Sequence, residues 1–98
     1  MKTIGEHQAF ITSRLQAACD NDPALQAKVI GFYQRFCQCD WGDTCAEDWA
    51  MNDEELSNRD GRVLALYKTE PENLFISLTF DEPSINADVV TIMFASDY

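Results

Sequence analysis

Leu74-Phe75-Ile76-Ser77-Leu78-Thr79-Phe80 alternates two kinds of position without interruption. One set of alternate residues is entirely apolar: Leu74, Ile76, Leu78 and Phe80. Side chains along a β-strand point in turn to opposite faces of a sheet, whereas a helix would distribute this set around its axis. The period of two therefore predicts a β-strand over residues 74–80 with the apolar set buried.

Two further strands are predicted, one on each side of this stretch. Residues 62–69 alternate in a similar way, and residues 89–94 are almost entirely apolar or β-branched. A turn containing Pro71 is expected at residues 70–73, and a loop containing Pro83 is expected at residues 81–88. Connections this short favour an antiparallel meander.

The N-terminal half predicts helices over about residues 4–19, 23–37 and 44–57. The second has the strongest amphipathic pattern, at i, i+4, i+7, i+8 and i+11; its apolar positions are Leu25, Val29, Phe32, Tyr33 and Phe36. Asp22 is suited to cap this helix and Pro23 to its first position. Thr44, with Glu47 three residues later, predicts a capping box at the start of the third helix.

Together these elements predict an α+β fold in one domain of 98 residues. Neither layer can bury its own apolar side alone. We therefore expect two or three N-terminal helices to pack on one face of a three-stranded antiparallel sheet. Residues 1–39 form the helical part, and residues 40–98 form an acidic helix followed by the β-meander.

Charge is distributed unevenly along the chain, whose formal net charge is −10. Residues 1–39 contain four basic and three acidic side chains, whereas residues 40–98 contain three basic and fourteen acidic ones. A protein that binds nucleic acid directly needs a basic face to neutralise phosphates, so this class is excluded. The asymmetry suggests an electrostatic protein partner, although acidic side chains also simply keep a small protein in solution.

The sequence also argues against membrane insertion and secretion. Uncharged runs such as Leu74–Phe80 are far too short to span a bilayer. The start, Met1 to Glu6, lacks the apolar region of a signal peptide. We therefore expect a cytoplasmic protein.

Four cysteines were considered as a chemical site: Cys19, Cys37, Cys39 and Cys45. The spacing Cys37-x-Cys39-x5-Cys45 does not form the paired units typical of zinc sites, so we expect reduced thiols without metal and no cofactor. His7 is the only histidine, and no third group or oxyanion site accompanies it and Cys45. We therefore predict that the protein is not an enzyme.

The densest feature is an acidic segment that also contains Trp41 and Trp49. Its seven carboxylates are Asp40, Asp43, Glu47, Asp48, Asp53, Glu54 and Glu55. Carboxylates along a helix would resemble a strand of phosphates to a basic surface, and a tryptophan could anchor the contact. The candidate partner-binding set is thus these seven acids with Trp41. The alternative is a solvated helix, with Trp49 in the core and Trp41 covering it.

An ordered set of residues in the C-terminal part resembles a known family. The set is Trp41-Gly42-Asp43, Glu47-Asp48, Asn52, Leu56, Gly61-Arg62-x-Leu64-x-x-Tyr67, Phe75-Ile76, Thr91-Ile92 and Tyr98. Across residues 40–98 it is similar to small bacterial proteins carried mostly by plasmids, phages and other integrated elements. Residues 81–88 depart from the family pattern, where a short Asp-Arg-Ser type of turn precedes the last strand. A function tied to that arginine is therefore not carried over.

Two hypotheses follow for the function. The resemblance implies no established activity, but it implies a mobile-element gene neighbourhood, where small acidic proteins often block host defence. The first hypothesis is a non-enzymatic inhibitor that docks on the basic, nucleic-acid-binding surface of a defence complex, such as a restriction enzyme or a CRISPR effector. The second is a small regulatory or housekeeping domain that forms a homodimer and whose acidic surface only solubilises it.

Overall fold

A computed structural model describes residues 2–98 and contains, within that range, three α-helices and four β-strands. The helices are α1 (Ser13–Asp20), α2 (Pro23–Cys37) and α3 (Ala46–Asn58). The strands are β1 (Gln8–Ile11), β2 (Arg62–Tyr67), β3 (Leu74–Glu82) and β4 (Ala87–Phe94). A short 3-10 helix over Ala95–Asp97 follows β4.

The four strands form one mixed sheet in the order β1-β4-β3-β2. Strands β2, β3 and β4 form the expected antiparallel meander, in which Ile76 lies opposite both Ala65 and Ile92. Strand β1 pairs in parallel with β4. The α+β class is therefore confirmed, but the predicted three-stranded antiparallel sheet is wrong, because a fourth, parallel strand extends it.

That fourth strand comes from a segment for which we predicted helix. Residues 4–12 contribute β1, and α1 begins only at Ser13. The backbone N–H of Thr12 donates to the Ile92 carbonyl at 3.0 Å, which continues the ladder to the end of β1. The physical reason is tertiary, since β4 has a free edge whose N–H and C=O groups need partners. The helical spacing of apolar residues near Phe10 and Ile11 could not reveal that edge.

The other predicted element boundaries agree with the structure to different degrees. Helix α2 has the predicted bounds, and the Asp22 side chain accepts a hydrogen bond from the Leu25 N–H at 3.2 Å. The predicted capping box at Thr44 is wrong, because α3 has Cys45 at its N-cap and no side-chain cap there. The predicted loop over residues 81–88 is a tight hairpin between β3 and β4, with the turn at residues 83–86.

Helices α1 and α2 cover one face of the sheet. Their buried residues Leu15, Cys19, Leu25, Val29 and Phe36 belong to the same cluster as the inward residues of the strands. Those inward residues are Val63, Ala65 and Tyr67 on β2, Leu74, Ile76 and Leu78 on β3, and Val90, Ile92 and Phe94 on β4. The predicted apolar face of residues 74–80 is therefore the core face, with Phe80 half-buried at its end. Within residues 2–98, no helix has the length and apolar character needed to cross a membrane.

An ion pair joins the end of α3 to the β3–β4 hairpin. The Arg59 guanidinium donates to both carboxylate oxygens of the buried Asp88, each at 2.9 Å. Asp88 also accepts the backbone N–H of Asp81 at 2.9 Å. The hydrogen bonds from Arg59 hold the pKa of the Asp88 carboxyl below its usual range. Charge-assisted, bidentate geometry of this kind fixes orientation as well as contributing energy.

We expect this pair to make stability depend on acidity. The folded-state pKa of Asp88 lies below its unfolded value, so the contribution is present above about pH 4, the usual aspartate pKa, and is lost as pH falls further. Thermal unfolding followed from pH 6 to pH 3 should show a falling midpoint. Asp88→Asn should be less stable than the parent at neutral pH and should lose less on acidification. Glu47→Gln, which removes an exposed carboxyl, is the control, and an equal flattening in both variants would contradict the assignment.

The register of β1 also makes a directional prediction. The Thr12 N–H donates to β4, and successive N–H groups along a strand point to opposite edges. The Phe10 N–H, two residues earlier, therefore points toward β4, and the Ala9 N–H points away from it. Proline has no N–H and is tolerated on an edge strand only where that N–H faces solvent. Phe10→Pro should therefore cost about 1–3 kcal/mol of unfolding free energy, and Ala9→Pro should cost clearly less. Denaturant unfolding measures both, and equal losses would contradict the parallel register.

Candidate interaction surface

The free edge of β2 is closed by side chains from α3. The Asn52 side chain binds both backbone groups of Leu64: its Oδ1 accepts the Leu64 N–H at 3.2 Å, and its Nδ2 donates to the Leu64 carbonyl at 2.9 Å. One turn later, the Glu55 carboxylate accepts the Arg62 N–H at 3.0 Å. An amide side chain can replace a neighbouring strand in this way because it carries one donor and one acceptor side by side.

The loop before α3 closes the other end of the same edge. The Asp43 N–H donates to the Leu66 carbonyl at 2.7 Å, and the Thr44 hydroxyl accepts the Leu66 N–H at 2.9 Å. The Asp43 carboxylate accepts the Lys68 N–H at 2.8 Å. We call the four residues Asp43, Thr44, Asn52 and Glu55 the β2 clasp. The Thr44 hydroxyl thus binds the edge of the sheet, which explains why it does not cap α3.

Trp41 and Gly42 place the clasp against the core. The Trp41 side chain is 0% exposed, and its ring packs edge-on to Phe36 with centroids 5.1 Å apart. Gly42 has a φ of 65°, and a Cβ there would lie 2.5 Å from the Tyr67 ring, so only glycine fits. The Tyr67 hydroxyl donates to the Asp40 carbonyl at 2.8 Å. Trp41 is therefore part of the core and has no exposed surface with which to anchor a partner.

The structure divides the seven predicted acids into two groups. Four are engaged: Asp40 with Arg35 at 2.9 Å, Asp43 with Lys68 N–H, Asp53 with the Trp41 Nε1–H at 3.0 Å, and Glu55 with Arg62 N–H. The other three are exposed, and no hydrogen bond or ion pair joins their side chains to any residue in the range 2–98. We call these three, Glu47, Asp48 and Glu54, the acidic ridge. The seven predicted acids therefore lie in one region of the molecule, but only the three carboxylates of the acidic ridge have no hydrogen-bonded or ion-paired partner within residues 2–98.

The helix geometry places two of the ridge acids, Glu47 and Glu54, on the side of α3 away from the sheet edge. Glu47 and Glu54 are seven residues apart, which is close to two turns, so their side chains leave the same side about 10 Å apart. Asp48 is displaced toward the sheet. Acids in the first turn also interact favourably with the positive end of the helix.

The four arginines are engaged in other parts of the molecule. Arg14 pairs with Glu72 at 2.6 Å and with Asp97 at 2.9 Å, and Arg35 pairs with Asp40. Arg59 holds the hairpin through Asp88, and Arg62 lies over the Tyr98 ring at 4.9 Å. The ridge therefore has no bonded cation among the residues described, and its negative field is directed to solvent.

A groove runs between α3 and the sheet face that carries no helix. It consists of two adjoining depressions of about 370 and 390 Å³, both lined by Asp48 and Leu64. Leu66 and Phe75 complete the floor of one, and Met51 and Tyr98 line the other. We call this feature the α3 groove. Of these six residues, only Asp48 belongs to the predicted partner-binding set; the signal for the apolar lining was the presence of apolar residues on both faces of strand 62–69.

Cys45 lines one depression of the α3 groove, whereas the other three cysteines and His7 line neither depression. Burial raises the pKa of the Cys19, Cys37 and Cys39 thiols and so favours their neutral form. The His7 Nε2 lies 2.6 Å from the Tyr33 hydroxyl, in a different cleft from Cys45. Within residues 2–98, no group of three or more His, Cys, Asp or Glu side chains is arranged to hold a metal ion.

Comparison with protein families, with curated proteins and with solved structures finds no match for this chain. The resemblance to mobile-element proteins therefore stays a prediction. The residues that carry it have identifiable structural roles nonetheless. Trp41, Gly42, Asp43, Asn52 and Tyr67 build or support the β2 clasp.

Asn52 offers a test of the clasp. It is 5% exposed, and Asn52→Ala would leave the Leu64 N–H and C=O without partners near the edge of the core. Such a loss should reduce the unfolding free energy by about 2–3 kcal/mol. Asn58→Ala, at an exposed position of the same helix, is the matched control and should change stability by less than about 0.5 kcal/mol. Thermal and denaturant unfolding measure both, and similar values for the two variants would show that the clasp contributes little.

Proposed function

We propose that this chain is a non-enzymatic interaction protein whose acidic ridge docks on a basic, nucleic-acid-binding surface of a partner protein. The observation that carries the proposal is the state of Glu47, Asp48 and Glu54, which are exposed and have no bonded cation among the residues described. Complementary charge on a partner would steer the encounter and fix its orientation. Because the net charge is −10, direct binding to nucleic acid is disfavoured.

The spacing of the ridge supports a partner of this kind. Phosphates follow one another at about 3.4 Å of axial rise along a nucleic-acid strand. Glu47 and Glu54 lie about 10 Å apart along α3, with Asp48 between them in sequence. Glu47 and Glu54 present two negative charges over this distance, which suits a groove that normally holds two to four phosphates, and Asp48 adds a third on the side of α3 toward the sheet. The protein would then block its partner by occupying the nucleic-acid channel.

The biological setting of the proposal comes from the resemblance to mobile-element proteins. A mobile element gains when a host defence nucleoprotein, such as a restriction or CRISPR complex, cannot bind its nucleic acid. We therefore propose such a complex as the target. The buried Trp41 takes no direct part in this contact and acts only by holding the segment before α3.

A second candidate function is a small regulatory or housekeeping domain that dimerises. The observation in its favour is β1, whose outer edge carries no charged residue and exposes 48% of Phe10. Edge strands present unpaired N–H and C=O groups that a second copy can bind. Sedimentation equilibrium of the pure protein distinguishes the two candidate functions, because self-association through β1 does not require a basic partner.

The central test reverses charge on the ridge. Immobilised protein should retain a partner from a bacterial lysate, and excess duplex DNA should displace that partner if its bound surface normally holds nucleic acid. Binding should weaken steeply with salt, since exposed charges are screened over about 8–10 Å at physiological ionic strength. Glu47→Lys with Glu54→Lys should abolish retention, and circular dichroism should show an intact fold.

Glu6→Lys with Glu70→Lys is the matched control. Both residues are exposed, both lie outside α3, and the change in net charge is the same. Retention of the partner by the control variant, with loss of retention in the ridge variant, supports docking through the acidic ridge. Equal loss in both variants would indicate an unspecific effect of total charge, and normal binding by the ridge variant would contradict the proposed function.

A further inference from the structure

The floor of the α3 groove is apolar, which the charge of the ridge does not explain. Leu64 and Leu66 on β2 and Phe75 on β3 lie half-buried on the sheet face without a helix. At the rim, Met51 is 50% exposed and Tyr98 is 56% exposed. Large apolar side chains gathered around two adjoining depressions are typical of an interaction site, because a partner that covers them removes apolar surface from water.

Five charged residues line the groove. Asp48 lines both depressions, Glu55 and Arg62 line one of them, and Asp43 and Lys68 line the other. The Asp48 side chain has no hydrogen-bonded or ion-paired partner within residues 2–98. The carboxylates of Glu55 and Asp43 already accept backbone N–H groups of the β2 edge, so a complementary occupant carries a positive charge opposite Asp48 and apolar side chains over the floor.

The clasp determines how an occupant can be held. Asn52, Thr44 and Asp43 already bind the N–H and C=O groups of Leu64 and Leu66. An extended peptide cannot join the sheet as another strand at this edge, because those groups are not free. An occupant must therefore be recognised through its side chains.

Tyr98 forms one end of the groove. Its ring lies 5.4 Å from the Phe75 ring and is covered by the Arg62 guanidinium at 4.9 Å, which also donates to its hydroxyl. Cation–π stacking of this kind holds an aromatic ring in place. The Tyr98 ring thus contributes apolar surface to the rim and is held in place by Arg62.

We propose that the α3 groove binds a segment of the partner protein in which one arginine is flanked on both sides by apolar residues. The arginine binds the Asp48 carboxylate through paired N–H donors, a geometry that carboxylates favour. The apolar side chains cover Leu64 and Phe75 on the floor. This inference rests on the proposed function for the basic character of the partner, and it adds the segment that is recognised.

A short synthetic peptide tests the inference, with a central arginine flanked by leucine and valine. Titration into the isotopically labelled full-length protein should shift the backbone amide resonances of Leu64, Leu66 and Phe75. Two further peptides serve as controls, one with glutamine at the centre and one with serine in place of the apolar residues. Both should bind about tenfold more weakly or not at all.

Two matched variants locate the contact. Asp48→Asn should weaken binding of the arginine peptide about tenfold, which is the loss expected when a charge-assisted hydrogen bond is removed. Glu70→Gln, which removes one exposed carboxylate outside α3 and outside the groove, should leave the affinity within about twofold. Unchanged amide spectra outside the groove would show that neither variant alters the fold.

The outcomes distinguish this inference from the proposed function. Shifts confined to the groove, with the loss in Asp48→Asn alone, support it. Shifts confined to the outward side of α3, with no loss of affinity in Asp48→Asn, overturn the groove and leave docking by the ridge intact. Absence of peptide binding also overturns the groove, and the lysate experiment with the ridge variants then decides the proposed function independently.

Discussion

An open strand edge leaves backbone N–H and C=O groups without partners, and the closure of the β2 edge by Asn52 is the contact on which the C-terminal architecture depends. The Asn52 amide supplies the donor and the acceptor that a fifth strand would otherwise provide at Leu64. Thr44 and Asp43 continue the same pattern at Leu66. Because these bonds run from a helix and its preceding loop, they determine where α3 lies relative to the sheet.

The position of α3 then determines what its acids can do. Asp43 and Glu55 accept backbone N–H groups of the edge, so their charge is partly used within the fold. The acidic ridge lies on the remaining sides of the helix and stays free. The same contact also leaves the second sheet face without a helix, since α3 lies beside the sheet and not over it. The acidic ridge and the apolar α3 groove are thus two consequences of one edge contact.

The ordered residues behind the family resemblance fit this explanation. Trp41 fills the core, Gly42 adopts a positive φ against the Tyr67 ring, and Asn52 closes the edge. These roles are structural, and they would be needed in any protein that used this arrangement. The ordered pattern behind the predicted resemblance therefore consists largely of residues that build the fold of residues 40–98.

Local patterns determined much of the fold by themselves. The alternation around Ile76 predicted β3 and its core face, and the spacing from Leu25 to Phe36, with Asp22 and Pro23 before it, predicted α2 and its bounds. Composition and charge placement identified the acidic segment. Each of these signals arises from neighbours in sequence, for which the periodicity of buried side chains is sufficient.

Contacts between distant residues decided what the sequence could not. β1 exists because β4 offers a parallel edge about 80 residues later, and its residues alone favoured a helix. Thr44 matched a capping box, but the Leu66 N–H competes for its hydroxyl. The division of the acids into a clasp and a ridge, and the burial of Trp41, likewise follow from where β2 lies. Side-chain partners across the fold are set by three-dimensional proximity, which no local period encodes.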